Sequence, residues 1–376
     1  MRVIMLSTDR KLFEPNSAVA ERMIEYGRVL GELQVVVFSK KEKIKKLSEQ
    51  VTIYPTNSWF RLFYLFDALG LVLKLNRKKN SANSLEKVDW LSAQDPFETG
   101  LVAWVANIFI KTKLQLQLHT DVFSPFFARS SFLNQIRVVL AKFLLPRADR
   151  IRVVSQKIFD SLVLGVLNLP SDNITVLPVF VDIEEFRSRE ITLDLKQKYT
   201  QFEHIILMAS RFEAEKDFGT AIRSFYQVFL KWPKAGLVIV GEGSKRDEID
   251  RLVKKFGLKL NVIIEPWSLD LSSYFKTADV YLLTSLFEGY SRTLIESSIV
   301  GTPFVSTDVG CAQELLDLKM SGLVTPVQDW RAIYMALNSL LEEKTPKNRE
   351  QVILPKSVHF LSKEKFLELY QKSFNF

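Results

Sequence analysis

The chain has 376 residues, 47% hydrophobic and 25% charged, the mix of a folded globular protein and not of a disordered or fibrous one. That length exceeds one comfortable hydrophobic core, so two domains with a cleft between them are expected. The single cysteine, Cys311, excludes an internal disulfide and fits a reducing, cytoplasmic compartment.

In chain order, MRVIMLS reads as a strand running straight into polar residues, without the apolar core and cleavage site of a signal peptide, so export is not expected. Short apolar runs then alternate with helix-period stretches, the pattern of parallel strands joined by crossover helices. Strands are expected near Val3–Leu6, Val35–Phe38, Trp90–Ala93, Leu114–Leu118, Arg150–Val154 and Thr175–Leu177, with helices at Ser17–Leu30, Pro96–Ile110 and Ser131–Leu145. The apolar stretch Trp59 to Leu75 is interrupted by Arg61, Asp67 and Lys74 and is not expected to span a membrane.

A second series follows, with strands near Ile205–Ala209, Leu237–Val240, Val262–Glu265, Val280–Thr284 and Pro303–Ser306, separated by helices at Phe218–Trp232, Lys245–Phe256, Leu269–Thr277, Thr293–Val300 and Gln313–Leu318. The expected fold is α/β: two Rossmann-like, doubly wound parallel-sheet domains, residues 1–183 and 184–356. A C-terminal helix over 357–376 is expected to pack back on the N-terminal domain.

The net charge of +8 is uneven: residues 1–183 carry 25 Lys/Arg against 17 Asp/Glu, and residues 184–376 carry 26 of each. The excess lies with Lys40, Lys41, Lys43, Lys45, Lys46, Arg77, Lys78 and Lys79, beside the aromatic run WFRLFYLF. Such a half suits an anionic partner, a phosphorylated acceptor or an anionic membrane surface. Ordinary solubility explains the same charge, and no motif supports nucleic-acid binding.

In open α/β sheets ligands sit outside the carboxyl ends of the strands. There, RFEAEK places Arg211 and Lys216 in one strand-to-helix loop, where cations can hold phosphate oxygens and stabilise a departing diphosphate. SLFEGYSRTLIE follows another strand: Glu288 precedes the turn at Gly289, a helix begins near Ser291–Leu294, and Glu296 lies inside it. A helix N-terminus suits a diphosphate, and carboxylates accept from vicinal hydroxyls. Read singly, the cations are as well explained as surface, Glu288 as a loop acid and Glu296 as a helix charge.

Together these segments, with GTPFV, GEG at Gly241–Gly243, and QDPFETG, LQLHTD, ADRIRVVS and VLPVFVD in the first half, resemble glycosyltransferase family 4, retaining enzymes of the GT-B fold. The resemblance implies a hexosyl transfer from a nucleotide diphosphate sugar to a glycan or lipid-linked acceptor in polysaccharide or glycolipid synthesis. It gives Arg211 and Lys216 to the diphosphate, Glu288 to the sugar, Glu296 to the ribose, and Arg292, Thr293 and Leu294 to the diphosphate at the helix start. Gly243, Gly289, Tyr290 and Ser291 complete the donor side, and His119 touches the sugar in transit. Asp9, Asp95 and Asp121 stand on the acceptor side.

The chain departs from that pattern where the family carries a glycine pair near the first strand-to-helix turn: here the segment is EPNSAVAER, with Asn16 and Ser17 in its place, Ser17 also serving as a helix N-cap. Val179-Phe180 replaces an asparagine-glycine, and a glycine is missing near Pro266, where Trp267 could border the base. The base stays open between uridine and guanosine. No Asp-x-Asp pair or metal-spaced cluster occurs, so neither metal nor cofactor is expected. Front-face transfer is expected, with Asp121 as the alternative nucleophile of a double displacement. A cytoplasmic protein, peripheral on the inner membrane face, and a catalytically inactive sugar-nucleotide-binding protein both remain consistent with the sequence.

Overall fold

The computed structural model describes residues 1–15, 17–77, 87–165, 167–343 and 354–375. Asn16, Lys78 and Lys79 of the sequence reading lie outside them. Two compact units form: residues 1–178 with 362–376, and residues 179–361.

The first unit contains β1 (Arg2–Ser7), α1 (Ala18–Leu30), β2 (Glu32–Val37), β3 (Lys45–Lys46), β4 (Val51–Pro55), α2 (Tyr64–Asn76), β5 (Trp90–Ala93), α3 (Glu98–Ile110), β6 (Lys113–Leu118), α4 (Pro125–Ser130), α5 (Phe132–Leu144), β7 (Arg150–Val153), α6 (Gln156–Val163) and β8 (Ile174–Val176). Its sheet order is β3-β4-β2-β1-β5-β6-β7-β8, parallel except for β3 against β4. β1 is buried along its whole length, as a central strand covered on both faces must be.

The second unit contains α7 (Ile183–Ser188), α8 (Leu195–Lys198), β9 (His204–Ala209), α9 (Phe218–Lys231), β10 (Ala235–Val240), α10 (Arg246–Lys255), β11 (Val262–Glu265), α11 (Leu271–Thr277), β12 (Val280–Leu283), α12 (Arg292–Ile299), β13 (Phe304–Thr307), α13 (Ala312–Asp317), β14 (Gly322–Thr325) and α14 (Trp330–Glu342). The chain then returns to the first unit as α15 (Lys363–Lys372). The all-parallel order β11-β10-β9-β12-β13-β14 reverses direction between β9 and β12. Loops leaving the carboxyl ends of those two strands therefore face one crevice, the place where such sheets bind ligands.

Three strands, β3, β4 and β14, and five helices, α4, α6, α7, α8 and α14, escape the sequence reading. β3 and β14 are short, β4 alternates buried and half-buried residues, α2 forms within the apolar stretch that begins at Trp59, and α14 lies between the last helix read in the second series and the C-terminal one. The first unit ends at Pro178, ahead of the 183/184 seam, because Asp182 caps α7 and Phe186 of α7 packs on Phe275. The tail boundary falls after Leu361, later than 356/357, because His359 is bonded inside the second unit. α15 lies on α1, with Tyr26 and Tyr370 stacked at 3.7 Å between centroids.

Candidate donor site

The loop after β9 is shaped by glycines that follow the next strand, β10. Gly241 and Gly243 adopt φ of +155° and +153°, and a Cβ on either would collide with backbone of the β9 loop, Ser210 O at 1.9 Å and Phe212 O at 2.5 Å respectively. This close approach lets Phe212 N donate to Glu242 O at 2.7 Å and Lys245 N donate to Phe212 O at 2.8 Å. The GEG segment thus fixes the path of RFEAEK.

That path ends in a short 3-10 turn whose last residue is Lys216, followed by Asp217 in the left-handed region as the cap of α9. Lys216 Nζ forms an ion pair with Glu288 from the loop after β12, and both side chains are mostly shielded, at 13% and 16% exposure. Ser285 Oγ donates to the same carboxylate oxygen at 2.7 Å, and Thr284 Oγ1 donates to Lys216 O at 2.8 Å. The two switch-point loops are therefore stitched together through Lys216 and Glu288.

Arg211 does not join this pair. Its guanidinium is 75% exposed and lies 3.5 Å from Glu215 one turn on. Convergence of both cations on one phosphate is thus not the arrangement seen; Lys216 is committed to Glu288, and Arg211 stands outside on a flexible stem.

α12 starts without a side-chain cap, Ser291 holding φ +71° in the left-handed region. The Ser291 hydroxyl is buried and makes no hydrogen bond among the described residues. Gly310, at φ +56°, packs against it so tightly that a Cβ would lie 2.4 Å from Ser291 Oγ and 2.6 Å from Tyr290 O, and Cys311 N donates to Tyr290 O at 3.0 Å. Within α12, Arg292 Nε pairs with Glu296 at 2.8 Å, Thr293 Oγ1 accepts from Tyr281 at 2.6 Å, and Leu294 is buried. Burial raises the pKa of Glu296, opposed by Arg292 and Arg189. Gly289 is buried, Gly243 is exposed at its loop, and Trp267 is exposed beyond β11.

Tyr290 points inward. Its hydroxyl is 3.1 Å from His359 Nδ1, the two rings stack, and His359 Nε2 lies 3.1 Å from Glu314 of α13. This relay was invisible in the sequence, since His359 sits outside every motif.

In the first unit, His119 follows β6 with Nε2 3.1 Å from Gln117 Oε1, so Gln117 holds the ring. Desolvation, then the Arg152 and Arg22 cations, lower its pKa and keep the imidazole neutral at neutral pH, although the residue as a whole is exposed. Asp9 caps the 3-10 turn Arg10–Phe13, accepting from Lys11 N at 3.0 Å. Asp95 accepts from Phe97 N at 2.9 Å and Thr99 N at 3.3 Å, while burial raises its pKa. Asp121 is buried. Ser17 takes the N-cap position of α1 without a side-chain capping bond. Lys45 is no free cation: its Nζ donates to the carbonyls of Leu12, Phe13 and Glu14 and pins the loop after β1. Among the described residues no group of three or more His, Cys, Asp or Glu side chains gathers to hold a metal.

The two sheets superpose on known structures over their whole length. Sucrose-phosphate synthase from Thermosynechococcus elongatus matches with a TM-score of 0.74 at 17% identity, covering all of this chain and 99% of that one. The fold is GT-B. Residues 194–353 of this GT-B chain match the family model of glycosyl transferases group 1. The chain is similar, at 26% identity, to the N-acetylgalactosamine-N,N'-diacetylbacillosaminyl-diphospho-undecaprenol 4-alpha-N-acetylgalactosaminyltransferase of Campylobacter jejuni, over 64% of each protein. It is also similar, at 25% identity, to the UDP-Gal:alpha-D-GlcNAc-diphosphoundecaprenol alpha-1,3-galactosyltransferase of Escherichia coli, over 46% of each. The match thus spans less than two thirds of either relative.

Proposed function

We propose that the chain is a retaining, family 4 hexosyltransferase that moves a sugar from a nucleotide diphosphate donor to a lipid-linked or glycan acceptor. The observation that carries this reading is the shielded Lys216–Glu288 pair at the β9/β12 switch point, next to the uncapped start of α12. The names of the Campylobacter and Escherichia relatives, both acting on undecaprenyl diphosphate sugars, support a lipid-linked acceptor.

In this reading the diphosphate lies at the α12 N-terminus, where the N–H groups of Arg292 and Thr293 and the Ser291 hydroxyl meet its oxygens, while the Leu294 N–H donates to Ser291 O at 3.0 Å and closes the first turn. Lys216 neutralises the charge that grows as the anomeric C–O bond breaks, with Arg211 closing from outside. Glu288 holds sugar hydroxyls, and Glu296 the ribose diol. The acceptor oxygen attacks from the face the diphosphate leaves, and its proton passes to the departing phosphate oxygen, so configuration is retained. The cations of the chain serve where a metal would otherwise act. The donor base is uridine or guanosine.

The chain also works as a peripheral protein on the cytoplasmic membrane face. No described helix is long and apolar enough to cross a membrane. Yet α2, α3 and α5 cover one stretch of the first sheet with apolar side chains turned outward: Trp59 at 81% and Leu62 at 83% exposure ahead of α2, Phe109 on α3, Phe132 and Val139 on α5. Residues 125–147 add Arg129, Arg137, Lys142 and Arg147 with no acidic residue. An apolar face with basic residues beside it, Arg137 among them paired with Glu98 at 2.9 Å, fits an anionic lipid surface, about 1 kcal/mol for each unpaired basic residue near it.

The test is release of free nucleotide diphosphate from uridine, guanosine and adenosine diphosphate sugars, with polyprenyl diphosphate sugars as acceptors. Release from one donor, lost in Lys216→Ala and Glu288→Ala, is expected; donor binding without release under any acceptor would point to a catalytically inactive sugar-nucleotide-binding protein. Co-sedimentation with phosphatidylglycerol vesicles, weakened in Trp59→Ser/Leu62→Ser, tests the membrane face, and no sedimentation at low salt removes it.

A further inference from the structure

The hydrogen bonds behind His119 determine where its proton sits. Gln115, Gln117 and His119 alternate along β6 and its end, so all three stand on one face. Just past α15, the Ser373 carbonyl lies 3.1 Å from Gln115 Nε2. A carbonyl only accepts, so that atom of Gln115 is its amide nitrogen and the Oε1 end accepts. Oε1 takes the Ser92 hydroxyl at 3.0 Å and Gln117 Nε2 at 3.3 Å. Gln117 Nε2 also donates to Ser92 Oγ at 3.0 Å.

The other end of the chain of amides is fixed independently. Arg152 can only donate, and its Nη1 lies 3.3 Å from Gln117 Oε1. Both anchors give Gln117 the same orientation, with its oxygen toward His119 Nε2 at 3.1 Å. An oxygen there requires an N–H on Nε2. No other hydrogen bond to the His119 ring occurs among the described residues.

We infer that Gln117, oriented by Arg152 and, through Gln115, by the tail carbonyl of Ser373, is a positioning residue that locks His119 as the Nε2–H tautomer and leaves Nδ1 as a bare acceptor. The two cations near the ring, Arg152 and Arg22, favour its neutral form and so agree. A bare Nδ1 takes a hydrogen bond from a sugar hydroxyl instead of giving one. That last consequence rests on the proposed transfer; the tautomer does not. The C-terminal helix, distant in sequence, thereby helps to set the chemistry of a residue after β6.

The test starts with the unaltered protein. It has three histidines, so two-bond proton–nitrogen couplings on 15N-histidine-labelled protein resolve each ring, and His119→Asn identifies the His119 signals. A single Nε2–H pattern at neutral pH is expected; an Nδ1–H pattern or an average of the two overturns the inference. Gln117→Met removes the acceptor at nearly constant length and should give the averaged pattern, while Gln117→Glu keeps an acceptor beside Arg152 and should keep Nε2–H. In turnover, Gln117→Met should lower kcat about tenfold, the size of one lost hydrogen bond, with donor KM little changed. Gln117→Glu should recover most of that loss, and equal damage in both variants overturns the positioning role. If the tautomer holds and no donor is turned over by the unaltered protein, the transfer reading fails while the assignment stands.

Discussion

Lys216 and Glu288 meet as an ion pair across 72 positions of sequence, each projecting from a loop on one side of the topological switch between β9 and β12. The phosphate-binding cation and the sugar-binding carboxylate of the proposed reaction thus hold each other in place. Shielded as they are, neither can lose its partner cheaply, because the remaining charge keeps its desolvation cost without its counter-charge.

Glu288→Gln should therefore lower stability by about 3 kcal/mol and sugar transfer by about a hundredfold or more. The double variant Lys216→Met/Glu288→Met should regain most of the stability and none of the turnover. Urea unfolding set beside nucleotide release separates the two effects; full activity in Glu288→Gln would end the proposed role.

Glu296 gives a pH signature. Its folded-state pKa is raised above 4.5 by burial, so the folded protein binds this proton more tightly than the unfolded chain. The contribution is favourable below pH 4.5 and is lost as pH rises through the raised value. Glu296→Gln, which cannot ionise, should gain stability relative to the unaltered protein between acidic and neutral pH, while donor binding weakens. Paired melting curves across that range check the sign; the opposite trend would contradict it.

Gly310 holds φ +56° against Tyr290 and Ser291. Gly310→Ala combines left-handed strain with a clash on backbone, and should cost about 1–3 kcal/mol and push the EGYSR loop off its path. Donor affinity should fall more than in a stability-matched core variant, as isothermal titration would read.

His359 joins Tyr290 to Glu314 inside the second unit. His359→Phe strands the buried Tyr290 hydroxyl and should cost about 1–3 kcal/mol. Adding Tyr290→Phe should recover part of that loss, because the stranded group is gone; additive losses in the double variant would show that the hydroxyl was not the cause.

Much of this site could be read from the residues alone because the relevant signals are local. Glu288, Gly289 and the start of α12 lie within one loop, and strand-period apolar runs located β9 through β13. The separation of Arg211 from Lys216 was not legible, since two cations in one loop look equivalent until one of them finds Glu288 and the other meets solvent. Lys45 was read as a free charge for the same reason, and only the path of the β1 loop gave it three carbonyls. β3 and β14 were missed because edge strands this short carry little periodicity, and β4, an inner strand, because its alternation runs over only five residues.

The sequence by itself determined the class of fold, through alternating apolar periods, and the kinds of group that could hold a diphosphate, through their spacing in single loops. Tertiary structure alone decided which of those groups touch, that α15 supplies a carbonyl to the amides behind His119, and that His359 reaches Tyr290. The reason is physical: periodicity reports which face of an element is buried, but hydrogen bonds and ion pairs form between atoms a few ångströms apart, and separation along the chain says nothing about that distance until the sheets have closed.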